Sequence, residues 1–275
     1  MTVDLQRYCA RIGWQGERRA TLETLYSLHR AHVCGIPFEN LEVLLGSTPP
    51  LDLGALQAKL VASARGGYCY EQNTLLAAVL EELGFRVTRL MGRVRAGAGP
   101  GEVRPRTHML LTVGVPGEPH EYLADVGFGA VGALLEPLPL LAGARREEGW
   151  RHHRLLVEQQ DGPLPNWVLQ AWRGGGWEDQ YAFTEEPFQA PDYEVANWHV
   201  STHPRSPFRQ RLYALRSSAD GHLALAGRIL TETGPDGTAR ERAIEGQGAV
   251  ARVLESEFGI VPPPGYQLPD CQLTG

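Results

Sequence analysis

At Gly84 the hydrophobic rhythm of this 275-residue chain changes period, and that change limits the fold more than any other feature. Before Gly84 the apolar residues follow a helical spacing; after it they alternate as in strands. Asp4 is placed to cap a segment with Leu5, Tyr8, Cys9 and Ile12 on one face, stopped by Gly13. Thr21 is placed to cap a second, with Leu22, Leu25, Tyr26, His29 and Val33 in a stripe that ends at Gly35 and Pro37. Asp52 opens a third through Leu56 and Leu60, and a fourth carries Leu76, Val79, Leu80 and Leu83. Residues 85–90, 108–115 and 121–128 then have strand character, with a Gly- and Pro-rich loop over 97–106. Further strands are expected at 154–158, 167–171, 210–215 and 223–230, with turns at Asp161-Gly162-Pro163 and Gly174-Gly175-Gly176. Residues 245–258 return to helical spacing, and the tail with Pro262-Pro263-Pro264 reads as irregular and superficial. The expectation is an α+β chain of three packed units: a helical bundle over 1–84, a β-rich unit over 85–190 and an α/β unit over 191–275.

Composition removes several classes of function. A net charge of −6 lacks the dense basic stripe that nucleic acid requires. No charged-then-apolar leader and no run of about 18 apolar residues appears, so the chain is placed in the cytosol with no membrane partner. Cys9, Cys34, Cys69 and Cys271 are too sparse for a disulfide framework and form no CxxC zinc pair. Their thiols are expected to be reduced. Lys59 is the only lysine, which reads as codon usage rather than function.

The densest chemistry lies in Arg65-Gly66-Gly67-Tyr68-Cys69-Tyr70-Glu71-Gln72-Asn73. Two glycines allow a tight turn or a close approach, and Cys69 falls in the first turn of the fourth helix. Unpaired N–H groups and the positive end of the helix dipole favour a thiolate there. A lone cysteine is usually an inert core residue, so the nucleophilic reading requires a base elsewhere in the chain.

Among the nine histidines, His108 begins an apolar strand, and Asp125 lies at the end of the next. If Val113 pairs with His120 across a hairpin loop over 114–119, His108 lies directly opposite Asp125 on the same face. A slip of one residue would send them to opposite faces and leave an ordinary strand histidine and a turn aspartate. His29 and His32, like His199 and His203, have spacings that suggest a metal. Neither pair has a carboxylate or a second pair at suitable spacing, so no metal is expected. His152-His153 reads as a solvated pair.

The nonapeptide resembles the arylamine N-acetyltransferase signature Arg-Gly-Gly-x-Cys-x-Glu-x-Asn. Ile36-Pro37-Phe38-Glu39-Asn40-Leu41, Thr107-His108-Met109, Ala124-Asp125-Val126-Gly127-Phe128-Gly129 and Ser201-Thr202-x-x-x-Ser206-x-Phe208 resemble further blocks in the same order, from near the N-terminus to about residue 210. The resemblance implies an N-terminal helical bundle, a central β-barrel-like sheet and a C-terminal α/β lid around a cysteine-protease-like core. It implies a Cys69–His108–Asp125 triad that takes an acetyl group from acetyl coenzyme A, without a metal, in a ping-pong reaction. The acceptor would be an arylamine, arylhydroxylamine or hydrazine. Phe38, Val94, Phe128 and Phe208 match walls of the acceptor pocket, although each also suits plain core packing. Gly127 and Gly129 match a backbone surface beside the pantetheine arm. Thr107, Thr202 and Ser206 match polar positions near the coenzyme, or else cap turns. Arg65, Glu71 and Asn73 fit the role of supporting the cysteine loop.

The match departs in two places: Tyr70 stands where the family commonly has Phe, and Ala130 where a further glycine is common. A homodimer is left open. Rival readings are an amide synthase that releases or cyclises a polyketide chain, a thiol hydrolase or peptidase, and a non-catalytic small-molecule-binding protein.

Overall fold

A computed structural model describes residues 2–99, 101–159, 162–246 and 248–263. The tail from residue 264, with Cys271, and the turn residue Asp161 lie outside the described residues. The fold is α+β. Its helices begin with α1 (Leu5–Ile12), capped by the Asp4 carboxylate on Arg7 N–H and closed by left-handed Gly13. α2 (Leu22–Gly35) is capped by Thr21 on Thr24 N–H. The short strand β1 (Phe38–Glu39) follows, then α3 (Leu41–Leu44) and α4 (Leu53–Leu56), which runs into a π-helical turn at Gln57–Ala62. Helix α5 (Cys69–Glu82) has Cys69 as its first residue.

Eight strands then form one antiparallel sheet that curls into a nearly closed barrel. They are β2 (Arg86–Val94), β3 (Arg106–Gly114), β4 (Glu121–Ala124), β5 (Leu138–Pro139), β6 (Arg145–Glu148), β7 (Arg151–Glu158), β8 (Asn166–Arg173) and β9 (Gly176–Phe183), in the order β5-β4-β3-β2-β9-β8-β7-β6. Helices α6 (Ala190–Thr202) and α7 (Pro207–Gln210) lead to β10 (Tyr213–Ser217), β11 (His222–Ala226), β12 (Ile229–Thr233), β13 (Ala239–Ala243) and α8 (Ala249–Phe258). β1 joins this second sheet by pairing Phe38 with Leu215.

Strand β3 is buried on both faces, which is why it reads as a continuous apolar run. Met109, Leu111 and Val113 pack with the helices, while Leu110 packs inside the barrel with Leu90, Leu123 and Tyr181. His108 has the parity of Leu110, and Asp125 that of Leu123. The His108 ring accordingly packs on Phe128 and Tyr181 of the barrel core, and Asp125, just past the end of β4, meets it from the side of α2 and α5.

Several expectations need correction. Val113 pairs with Tyr122 rather than His120, so the loop covers 115–120 and His108 is not directly opposite Asp125. The error is two residues, which preserves the face; the two side chains meet as diagonal neighbours. β4 stops at Ala124 instead of running to Phe128. The strand expected over 223–230 is cut into β11 and β12 by a turn at left-handed Gly227. The strand expected over 210–215 begins only at Tyr213, because α7 occupies the residues before it. Helix α6 escapes the apolar pattern because its buried face includes Asn197 and Ser201 while Val195 and Trp198 face solvent. His153 is buried and bonded to the Gly132 carbonyl at 3.1 Å, not solvated.

Candidate active site

The turn before α5 is shaped by close approach rather than by left-handed backbone. Neither Gly66 nor Gly67 has positive φ. A Cβ on Gly66 would lie 2.0 Å from the Pro37 carbonyl oxygen, and one on Gly67 2.7 Å from Glu71 Oε2. The neighbour that forbids a side chain is therefore the protein itself. Tyr68 donates its N–H to Glu71 Oε2 at 3.1 Å, one half of a capping box, and Glu71 Oε1 accepts from Lys59 Nζ at 2.6 Å. Lys59 also holds Glu42 at 2.5 Å, and Arg65 holds Glu39 at 2.7 Å. Burial pushes the Glu71 carboxyl up to about 7, against the opposing pull of Lys59.

Facing Cys69 is His108, whose Nε2 lies 2.7 Å from Asp125 Oδ2. Asp125 Oδ1 accepts from Asn73 Nδ2 and from Gly127 N–H, each at 2.9 Å. With Nε2 committed to Asp125, the other ring nitrogen is the one left for the Cys69 thiol. Burial alone would lower the His108 pKa, but the Asp125 charge and hydrogen bond, joined by Cys69, raise it to about 10. The Asp125 carboxyl is penalised by burial, yet His108, Asn73 and Gly127 hold it below the usual carboxylate range. Cys69, His108 and Asp125 are all buried, at 5%, 3% and 1% exposure. This is the cysteine-protease-like core: a cysteine at a helix start facing a histidine on a sheet.

Thr107 supplies a feature invisible in the sequence. β2 and β3 pair Gly92 with His108 but Arg93 with Arg106, so Thr107 is the extra residue of a β-bulge. Its carbonyl turns inward to accept from Tyr70 Oη at 2.7 Å and from Cys69 Sγ at 3.8 Å.

A family model described as N-acetyltransferase matches residues 21–262. The arylamine N-acetyltransferase of Mycolicibacterium smegmatis is 42% identical over 265 residues, covering 94% of this chain and 93% of that protein. The structure of the Nocardia farcinica arylamine N-acetyltransferase superposes with a TM-score of 0.89 at 43% identity, covering 99% of this chain and 94% of that one. The Mycobacterium marinum arylamine N-acetyltransferase in complex with CoA gives 0.86 at 37% identity, with 94% and 93% covered. The chain belongs to the arylamine N-acetyltransferase family. It is therefore a member of a family of transferases.

In this arylamine N-acetyltransferase fold the four apolar residues singled out flank the triad in two groups. Phe128 lies 5.2 Å from His108 between ring centroids, and Val94 pairs with Tyr181, whose ring is 4.9 Å from His108. Phe38 bridges to Gly67, and its ring lies 5.8 Å from Phe208, which in turn sits 6.0 Å from Tyr68. Gly127 abuts the nucleophile, since a Cβ there would be 2.6 Å from Cys69 Cα. Gly129, with φ +72°, packs on the Phe38 ring. Thr202 is exposed and bonded within α6 to the Trp198 carbonyl at 2.6 Å, whereas Ser206 is buried with a hydroxyl that finds no partner among the described residues. A cavity of about 900 Å³ behind Tyr193 contains none of the triad. Among the described residues no group of His, Cys, Asp and Glu is arranged to hold a metal, and no helix is long and apolar enough to cross a membrane.

Sequence reasoning missed Tyr181, hidden in a strand that followed a glycine turn. It also undervalued His29 and His32, whose signal was a pair of histidines on the apolar stripe of α2.

Proposed function

We propose that the protein transfers an acetyl group from acetyl coenzyme A to the nitrogen of arylamines, through an acetyl thioester on Cys69. The observation that carries this reading is the His108–Asp125 pair, with its free ring nitrogen turned to a cysteine at the start of α5. His108 takes the Cys69 proton, and the Asp125 carboxylate stabilises the imidazolium. The helix dipole favours the thiolate left behind. That thiolate attacks the acetyl carbonyl and expels the coenzyme as a thiolate, which recovers the proton from His108. In the second half the amine nitrogen attacks the acetyl-cysteine carbonyl, passes a proton to His108 and leaves as the amide, with the Cys69 sulfur as leaving group. Each half-reaction uses the same three side chains, and the coenzyme leaves the covalent acetyl-enzyme before the amine reacts, which gives ping-pong kinetics. Arylhydroxylamines and hydrazines present a similar nitrogen nucleophile and belong to the same acceptor class.

The coenzyme enters as a substrate. The M. marinum relative is known in complex with CoA, and Thr107, Gly127, Gly129, Thr202 and Ser206 are proposed to lie along its path. Phe38, Val94, Phe128 and Phe208 form the apolar surroundings in which an aromatic amine is held.

Mixing the protein with acetyl coenzyme A and no amine should add one acetyl group to Cys69 by mass spectrometry. An added arylamine should discharge it as the N-acetyl product, and Cys69→Ser should do neither. A longer acyl thioester loading in preference to acetyl would turn the reading towards the amide synthase. Discharge as fast by water as by amine would turn it towards a hydrolase.

A further inference from the structure

Helix α2 crosses behind the site and presents two histidines to it, His29 and His32, one helical turn apart and both fully buried. Their hydrogen-bond partners fix the tautomer of each. His29 Nε2 lies 3.0 Å from the backbone nitrogen of Asp125, and a backbone N–H is always the donor. His29 must therefore accept at Nε2 and carry its proton on Nδ1, where the Leu135 carbonyl receives it at 2.9 Å. His32 is reversed. The Gln72 amide nitrogen donates to the Pro37 and Gly67 carbonyls, at 2.9 and 3.2 Å, so Gln72 Oε1 is an acceptor. His32 Nε2, 2.7 Å from that oxygen, must carry the proton, and Nδ1 accepts from Tyr8 Oη at 2.7 Å.

We infer that His29 and His32 are positioning residues of the transferase reaction: His29 holds the backbone of Asp125, and His32, through Gln72, holds the Gly67 carbonyl of the turn ahead of Cys69 and the Pro37 carbonyl just before β1, against which that turn packs. The inference rests on the triad reading above. His29 makes both of its bonds only as neutral imidazole protonated at Nδ1, and His32 keeps its bond to Gln72 only while Nε2 carries a proton. The hydrogen bonds set the position of the acid–base arm and of the nucleophile turn from one rigid helix. This role also accounts for the pair without a metal, since all four ring nitrogens already have protein partners. Burial is the main influence lowering the His29 pKa to about 4 and the His32 pKa to about 3. The charged or titratable groups that bear on them are Asp125 and Arg30 for His29, and His29 and Arg11 for His32.

The test separates the acceptor role from simple packing. His29→Leu fills the space without an acceptor, whereas His29→Gln can bring Oε1 to the Asp125 N–H. For His29→Leu the rate of Cys69 alkylation by iodoacetamide, and kcat, should fall roughly tenfold to a hundredfold, the usual scale for groups that orient a reacting side chain. The KM for acetyl coenzyme A should stay within about threefold, because the substrate-facing walls are untouched. His29→Gln should recover most of the loss. His32→Leu should lower alkylation in the same way, while His32→Gln should restore part of it.

If these variants do not fold, the wild-type protein still decides. A long-range 1H–15N spectrum should show one buried histidine protonated at Nδ1 and another at Nε2, both neutral at about pH 5.5, where an unperturbed histidine is mostly charged. Wild-type alkylation in His29→Leu, equal losses in Leu and Gln variants, or charged rings at that pH would each overturn the inference. Acetyl transfer surviving in Cys69→Ser would instead overturn the triad reading, so the two failures remain distinct.

Discussion

The turn that carries Cys69 is held by ion pairs in addition to the neutral His32–Gln72 relay, whereas the turn that carries Asp125 is held by neutral groups alone. On the nucleophile side, Lys59, Glu42 and Glu71 form one ion-paired group, and Arg65 with Glu39 another. On the other side, Asp125 is bracketed by the Asn73 amide, the Gly127 N–H and the His29 ring, and among the described residues its ion-pair partner is His108. The difference follows from what each side does. The Asp125 side must keep one ion pair in a fixed balance through two proton transfers, and a further buried charge would compete with it. The Cys69 side only needs its backbone fixed, and ion pairs at a distance can share that task with the neutral relay. One consequence is that the two sides should respond differently to pH.

The largest effect should come from Asp125→Asn. Without the carboxylate, burial is opposed by Cys69 alone and the His108 pKa should drop from about 10. The loss in kcat is expected at roughly 10³–10⁴-fold, the scale seen when a catalytic imidazole loses its carboxylate. Iodoacetamide labelling of Cys69 at neutral pH should slow markedly relative to the parent. Unchanged labelling would show that the neutral side does not depend on this one charge.

Lys59→Met attacks the charged side. The Glu71 pKa of about 7 lies above the unfolded value of about 4.3, so its stabilising contribution is complete below the unfolded value and declines as pH rises through 7. Removing Lys59 extends that decline above pH 7, because nothing then opposes burial of the carboxylate. Thermal or urea unfolding should show a loss of about 3 kcal/mol at pH 8, the scale for breaking one partner of a buried pair, and a smaller loss at pH 6. A loss independent of pH would mean that Lys59 contributes only packing, consistent with codon usage.

Gly127→Ala tests the contact between the two sides. The added Cβ would meet Cys69 Cα at 2.6 Å and Asn73 Nδ2 at 2.7 Å, so the Asp125 turn must move off the helix start. Since φ at Gly127 is not positive, the penalty is one of space, about 2 kcal/mol by the scale of overpacking. Activity should fall further than stability implies, because His108 moves with that turn. Activity at the parent level would show that the sides are not rigidly coupled.

The same comparison explains what the sequence disclosed. On the charged side the motif is local: Arg65, Cys69 and Glu71 lie in one nonapeptide, so the motif and helix start were readable from consecutive residues, whereas the ion partners Glu39, Glu42 and Lys59 lie outside it. The neutral side joins residues far apart in the chain, such as His29 with Asp125 and Leu135, and nothing in the spacing marks that bond. The His108–Asp125 pair was legible because strand parity survives a register error of two, although the direct pairing was not. The inward carbonyl of Thr107 was not legible for the opposite reason: a bulge breaks parity, and no glycine or proline announces it. Lys59 looked like a compositional accident because its two carboxylate partners lie 17 positions before and 12 after it.

The smallest expected effect concerns Tyr70, where the family commonly has phenylalanine. Its hydroxyl donates to the Thr107 carbonyl at 2.7 Å, and its ring lies edge-on to Tyr68 at 5.5 Å. Tyr70→Phe keeps the ring and removes only the donor. The Thr107 carbonyl then keeps the weaker Cys69 thiol contact at 3.8 Å as its described partner. A neutral hydrogen bond lost inside the protein costs about 1 kcal/mol, so the midpoint of urea unfolding should fall slightly with an unchanged slope. The bulge is gripped on both sides by β2 pairing at Gly92 and Arg93, so His108 should not move and kcat should stay within about threefold. A loss of activity nearer that of Gly127→Ala would mean that the tyrosine hydroxyl, rather than the sheet, sets the bulge. The acid–base arm would then depend on the nucleophile helix for its position as well as on its own neutral clamp.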